Sequence, residues 1–299
     1  MISTHQKVSV NIVNGFVANG QGGNPAGVVL NADDYSEQQM MSIASQVGLS
    51  ETAFVSSSQT EGLKLDFFTP NRRIAHCGHA TIAAFSYLAE TGVVVEGETS
   101  KETIDGPRKV VIKEGAAYME QRAPSYSDAR DWHQCGVTEN DVLEALNLSP
   151  SQRVNDMPVT RVNTGNSFVI IAVDSASTLA SIVPDFAKIT AISDKLDLIG
   201  VYVFTIDTPL QADATTRMFA PRFAIEEESA TGMAAGPLAC YLYDVVKINK
   251  THFVIRQGEY MQPASPSVIN VELSLDADQI TSLMAGGFGQ LMEQRSVVL

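Results

Sequence analysis

Ile74-Ala75-His76-Cys77-Gly78-His79-Ala80-Thr81-Ile82-Ala83-Ala84-Phe85 carries the chain from a strand into a helix through a glycine. Upstream, Leu63, Leu65 and Phe67 alternate with polar residues, the period of a half-buried strand, and Pro70 and Asn71 break it. Downstream, Ala80 to Glu90 consists of good helix formers with an apolar stripe through Ile82, Phe85 and Leu88, and Gly92 ends the run. Gly78 and His79 therefore fall where a loop becomes the first helical turn. The backbone N–H groups there lack helical partners and carry the positive end of the helix dipole. Without a Cβ at Gly78, an anion such as a carboxylate can approach that backbone closely.

The pattern recurs. Thr216-Arg217-Met218-Phe219-Ala220-Pro221 reads as a strand stopped by proline, a loop runs from Phe223 to Ala230, and Thr231-Gly232-Met233-Ala234 opens a second helix. Setting Gly78 on Gly232 matches Ala80 with Ala234, Tyr87 with Tyr241 and Leu88 with Leu242, and the Phe-x-Pro ahead of each matches too. A strand–loop–helix unit at similar places in two halves suggests a duplicated fold, with the two glycine-opened helices facing one cleft.

The chain of 299 residues has room for two domains, and its 44% hydrophobic and 18% charged residues are ordinary for a globular protein. A net charge of −14 repels phosphate backbones and argues against nucleic acid as a partner. No apolar run approaches the roughly 20 residues that span a bilayer. Met1 to Lys7 is polar and lacks a signal-peptide core. Cys77, Cys135 and Cys240 form an odd set without framework spacing, which suits a reducing cytoplasm.

Strands are expected at Val8 to Ile12, Ala26 to Leu30 and Ala53 to Val55, with a helix from the capping pair Ser36 and Gln39 to a stop at Gly48. Further strands are expected at Val93 to Val95, Lys109 to Lys113 and around Tyr118. The aperiodic stretch Arg122 to Gly136 marks a junction, giving a first half of 1–125 and a second of 126–299. The second half reads as strands at Val159 to Val162, Phe168 to Val173, Ile199 to Ile206, Phe253 to Arg256, Val268 to Leu273 and Leu291 to Val298. Short helices lie between Thr138 and Leu146 and around Pro184. Many short strands with one long helix per half is the signature of an α+β protein.

His76, Cys77 and His79 lack a fourth ligand at zinc-like spacing, so no metal site is expected. Cys77 has two readings: a reactive thiol whose pKa the helix start lowers, or, favoured, a small residue packing the loop. His79 could donate a hydrogen bond to a substrate oxygen or serve as a satisfied structural histidine. Glu51 lies between a helix stop and an apolar strand, where a carboxylate can be aimed into a cleft, although a surface glutamate is the default. Glu226-Glu227-Glu228 reads as a solvated acidic loop that can still present one carboxylate beside Gly232. Gly20 to Asn24 lacks the Lys-Ser/Thr and the following helix of a phosphate loop.

Together, Gly23-Asn24-Pro25-Ala26-Gly27-Val28, Leu49-Ser50-Glu51-Thr52-Ala53-Phe54-Val55, Phe68-Thr69-Pro70, Cys77-Gly78-His79-Ala80-Thr81, Thr164-Gly165, Phe219-Ala220-Pro221-Arg222-Phe223 and Ala230-Thr231-Gly232 resemble the PhzF-like phenazine-biosynthesis isomerase family, which shares the diaminopimelate epimerase fold. The resemblance spans nearly the whole chain. It implies two similar β-rich, barrel-like halves, each around a central helix, with the active cleft between them and the C-terminal strand returning to the first half. It makes Glu51 the proton-transferring acid/base and Ser50, Gly78 and His79 substrate contacts, with Glu228, Gly232 and Met233 contributing from the second half.

Three positions depart from the family pattern: Glu228 for Asp, Met233 for Ser and Ala224 for Gly. Met233 loses a hydroxyl and adds apolar bulk, so the family's best-known substrate is expected to fit poorly. Related epimerases use two thiols. Here Cys77 matches the first position, but Thr231 stands at the second, which disfavours an amino-acid epimerase or racemase. The reading that follows is a cytoplasmic, cofactor-independent isomerase of a small carboxylate-bearing metabolite, with a homodimer left open. Its rival is a non-catalytic binder or degenerate family member.

Overall fold

The computed structural model describes residues 6–208 and 211–299, so Met1 to His5, part of the polar N-terminus noted above, lies outside them. The chain forms two compact units, Met1–Glu120 with Gly286–Leu299, and Gln121–Ala285.

In the first unit the strand Lys7–Gly15 pairs antiparallel with both Gly289–Val298 and Asn24–Val29. Asn24–Val29 then pairs parallel with Thr52–Ser56, which pairs antiparallel with Leu63–Phe68. Leu63–Phe68 runs parallel to Gly97–Glu102, which is followed by antiparallel Arg108–Lys113. The helix Glu37–Val47 makes the crossover between the parallel strands Asn24–Val29 and Thr52–Ser56. Ser36 and Gln39 close a capping box at its start, and Gly48 in the left-handed region (φ 71°) ends it. Its Met40, Ile43, Ala44 and Val47 pack on Val10, Ile12, Val29, Phe54 and Phe68.

The helix Gly78–Glu90 behaves differently. Every residue from Gly78 to Leu88 is buried, the mark of a helix enclosed on all sides. It packs against Lys7–Gly15, Asn24–Val29, Thr52–Ser56, Arg108–Lys113 and Gly289–Val298, and so forms the centre of the unit. Gly15 makes the approach possible: a Cβ there would lie 2.9 Å from the His79 carbonyl oxygen.

The second unit repeats this frame. Thr160–Asn163 pairs antiparallel with Ser167–Ala172, which runs parallel to Gly200–Thr205. Gly200–Thr205 pairs antiparallel with Ala214–Ala220, which runs parallel to His252–Gln257, followed by antiparallel Ser267–Asp276. Phe186–Leu196 lies in the crossover and packs Ile189, Ile192 and Leu196 on Val169, Ile171, Val201 and Val203. Gly232–Asp244 is the buried central helix, against Thr160–Asn163, Ser167–Ala172 and Ser267–Asp276. The protein is thus α+β, with a sheet and a central helix in each half. Among the described residues no helix is long and apolar enough to cross a membrane.

Several local expectations need correction. Val93 to Val95 is not a strand: the N–H groups of Val93 and Val94 both bond to the Leu88 carbonyl and close the helix end. The strand comes later, at Gly97–Glu102, whose sequence GETSKE has no apolar alternation. The acidic loop contains a strand, Ile225–Glu228, that folds back on Ala214–Ala220, with Glu228 opposite Met218. The junction stretch holds the short strand Ser125–Asp128, paired with Thr160–Asn163. The strand Gln279–Gly287 was not expected, because Ile280 and Leu283 are spaced by three rather than two.

Candidate active site

Glu51 is placed by two strands. Its carbonyl accepts from the Gly27 N–H at 3.0 Å, and the next residue, Thr52, pairs with Gly27. A Cβ on Gly27 would lie 2.8 Å from Thr52 Oγ1, so the glycine of the Asn24-Pro25-Ala26-Gly27 stretch lets the strand that follows Glu51 dock. Glu51 is thereby held in the interior, 9% exposed, while Ser50 beside it is exposed.

Cys77 caps the central helix in an extended conformation, and Gly78 and His79 form its first turn. His79 Nε2 lies 3.3 Å from Glu51 Oε2, and Cys77 Sγ lies 3.6 Å from His79 Nδ1. The imidazole therefore stands between carboxylate and thiol. Among the described residues Glu51 Oε2 is buried and accepts no hydrogen bond, so its contact with His79 is one of proximity. One atom from each of Glu51, Cys77 and His79 lies within 4.8 Å of the others. The thiol and the carboxylate nevertheless face opposite nitrogens of one ring, which is a chain and not the shared centre that a metal ion needs.

Burial pushes the Cys77 thiol above its ordinary pKa, opposed by His79 and reinforced by Glu51. Desolvation thus outweighs the helix start, and Cys77 is a protonated, packed thiol. Behind it, Thr81 Oγ1 donates to the Cys77 carbonyl at 2.6 Å, and Lys101 Nζ donates to Thr81 Oγ1. Sequence reasoning missed Lys101 because its strand carries no periodic signal.

At the start of the second central helix the groups differ. Glu228 is half-buried and accepts from the Thr231 hydroxyl. Gln257 ties this turn down: its Oε1 accepts from the Thr231 N–H at 3.1 Å and from the Tyr202 hydroxyl at 3.0 Å, and its Nε2 donates to the Glu228 carbonyl at 2.7 Å. Gly232 is buried, while Met233 is half-buried with Asn166 Nδ2 3.3 Å from its sulfur. Gln257 was also missed, since an isolated glutamine at a strand end has no signature in sequence.

A family profile described as phenazine biosynthesis-like protein matches residues 13–293. The chain belongs to this family. An uncharacterized isomerase of Clostridium acetobutylicum is 32% identical over 93% of each chain. The trans-2,3-dihydro-3-hydroxyanthranilate isomerase of Pseudomonas chlororaphis is 28% identical over 96% of this chain and 98% of its own. A PhzF-family crystal structure from Bacillus anthracis superposes with a TM-score of 0.88 at 22% identity, covering 98% of this chain and 100% of the other. These relatives place the protein among isomerases with the diaminopimelate epimerase-like fold.

Proposed function

We propose that the protein moves a proton within a small carboxylate-bearing metabolite, with Glu51 as general acid/base and no cofactor, in the cytoplasm. The observation that carries this reading is the buried Glu51 carboxylate oxygen that accepts no hydrogen bond, next to His79 at the start of the central helix. A carboxylate in a dry site whose lone pair is not spent on a donor is equipped to take a proton from carbon and return it elsewhere. His79 orients the substrate, the Gly78 N–H and its neighbours hold the substrate carboxylate or a developing oxyanion, and Ser50 supplies a further contact. In the second unit the same reading gives Glu228, Gly232 and Met233 roles in binding substrate. The Thr231 hydroxyl is donated to Glu228, which supports a one-carboxylate mechanism over a two-thiol one.

The test is incubation with trans-2,3-dihydro-3-hydroxyanthranilate in D2O, followed by NMR. Deuterium appearing in recovered substrate or product, and lost in Glu51→Gln, supports the reading. An active Glu51→Gln enzyme removes Glu51 from the mechanism. Binding without any exchange favours a non-catalytic binder.

A further inference from the structure

Lys101 is fully buried, and among the described residues no carboxylate pairs with it. A buried ammonium is costly unless each of its three N–H groups has a partner. Here there are three: Thr81 Oγ1, His76 Nδ1 at 3.3 Å, and the face of Phe67, whose centroid is 4.9 Å away. His76 is in turn edge-on to Phe67, with centroids 6.3 Å apart. The cage is complete, and it sits one hydroxyl from the Cys77 carbonyl, because Thr81 passes the contact on at 2.6 Å.

This is an unfavourable place for a cation. The N-terminus of a helix already carries a partial positive charge, and a buried lysine behind it adds to that charge instead of balancing it. An anion held by the first-turn N–H groups relieves both. We propose that Lys101 is a positioning residue for substrate binding: through Thr81 it clamps the cap carbonyl of Cys77, and its charge strengthens the hold of the Gly78–His79 turn on the substrate's carboxylate. This rests on reading that turn as the seat of the carboxylate.

The charge is adjustable near neutrality. Burial brings the Lys101 pKa down to about 7, with Arg108 on the adjacent strand lowering it further and Cys77 opposing. His76 does not compete for the proton, since burial, Lys101 and Arg108 hold it well below its ordinary value. The Cys77 thiol is pushed up and stays protonated. Of the groups facing the ammonium, Lys101 is the one that changes charge between about pH 6 and pH 9. A bound anion raises its pKa, so binding takes up a proton in that window.

The experiment is calorimetric titration with trans-2,3-dihydro-3-hydroxyanthranilate in a Glu51→Gln background, where the probe is not turned over, with and without Lys101→Met. At pH 6 loss of the charge is expected to weaken binding about tenfold, and at pH 9, where Lys101 is neutral, the two proteins should agree within about twofold. Proton uptake, read from the buffer dependence of the heat near pH 7.5, should be present with Lys101 and absent without it. Equal affinities at pH 6, or a gap of the same size at pH 9, overturn the proposal, the latter because a merely structural role would not vanish with the charge. Should Lys101→Met not fold, Thr81→Val cuts the link while keeping the ammonium and is expected to weaken binding severalfold at pH 6; unchanged affinity then overturns the proposal. If the probe does not bind the Lys101-containing protein even with Met233→Ser and Glu228→Asp added to remove the expected misfit, the carboxylate-site reading falls and takes this inference with it. Binding that ignores Lys101 removes this inference alone.

Discussion

The starts of the two central helices stand on the same frame and hold different chemistry. In the first unit Thr52 pairs with Phe68, and the residue before Thr52 is Glu51. In the second, Val201 pairs with Phe219, the match of Phe68, and the residue before Val201 is Gly200. A Cβ on Gly200 would collide with the Phe219 carbonyl, so no carboxylate can stand at that place. Leu63 pairs with Lys101, whereas its match Ala214 pairs with Ile255, so the register position of the buried lysine is apolar in the second unit. Cys77 and His79 become Thr231 and Met233. The duplicated frame supplies two glycine-opened helix starts, and side chains at a few fixed register positions set the proposed acid/base, Glu51, beside the first.

That asymmetry is broken most directly at Glu51. Glu51→Gln keeps shape and removes the proposed base, and the rate of deuterium exchange into trans-2,3-dihydro-3-hydroxyanthranilate should fall roughly a hundredfold or more, the usual worth of general acid–base catalysis. An exchange rate within a few fold of wild type would mean that the two helix starts do not differ in this way.

The second way is to give the first unit the residue of the second, Lys101→Ile. In the folded protein the Lys101 pKa is about 7, below its ordinary value of 10.5. Between those values the unfolded chain binds a proton that the folded one does not, so this group makes stability rise with pH, by up to about 1.4 kcal/mol per pH unit. Below about pH 7 both states are charged and the penalty is constant and fully present. Urea denaturation from pH 7 to pH 10 should show a slope in wild type that exceeds the slope of Lys101→Ile. Identical slopes would mean that Lys101 binds its proton equally in the folded and unfolded states, and so keeps its ordinary pKa in the core.

A smaller effect is expected from the second unit. Met233→Ser with Glu228→Asp should improve kcat/KM for trans-2,3-dihydro-3-hydroxyanthranilate by about tenfold, since a pocket lacking a polar contact and carrying extra bulk is unfavourable on both counts. Efficient turnover by the wild type would dispose of that specificity argument. Smaller still is Cys77→Ala. The thiol is protonated, and Thr231 stands at the sequence position that matches it, so exchange should stay within about threefold of wild type. A loss of several orders of magnitude with the fold intact would restore a thiol mechanism.

Much of this was legible in the chain, and the reasons are local. The strand–loop–helix unit declares itself through alternation ending in Phe-x-Pro, then glycine, then helix formers, and its repetition exposes the duplication. Glu51 and His79 could be named from motifs, but their 3.3 Å approach depends on Gly27 and Gly15, whose missing side chains let strands and helix close in. Gly97–Glu102 stayed hidden because its alternate residues are charged or hydroxylic, and its one buried lysine finds partners far away in sequence. Val93 to Val95 misled in the opposite sense: β-branched residues look like strand, yet Val93 and Val94 spend their N–H groups on a helix end and leave Val95 77% exposed.

The smallest effect concerns the loop between Pro221 and Thr231. Ala224 adopts φ 61° and ends the short turn Pro221–Phe223, its N–H bonding to the Pro221 carbonyl at 2.9 Å. A Cβ in the left-handed region costs about 1 kcal/mol, and glycine avoids that cost but brings more freedom to the unfolded chain. Ala224 is exposed, so no packing is lost on removing its methyl group. The two terms oppose each other, and relief of strain should win narrowly: Ala224→Gly is expected to stabilise by about 0.5 kcal/mol, read as a shift in the urea midpoint at constant m value. Destabilisation by Ala224→Gly would show that stiffness of this loop, not strain, is what the alanine contributes. The turn leading to Glu228 would then be more rigid by sequence than its counterpart before Gly78.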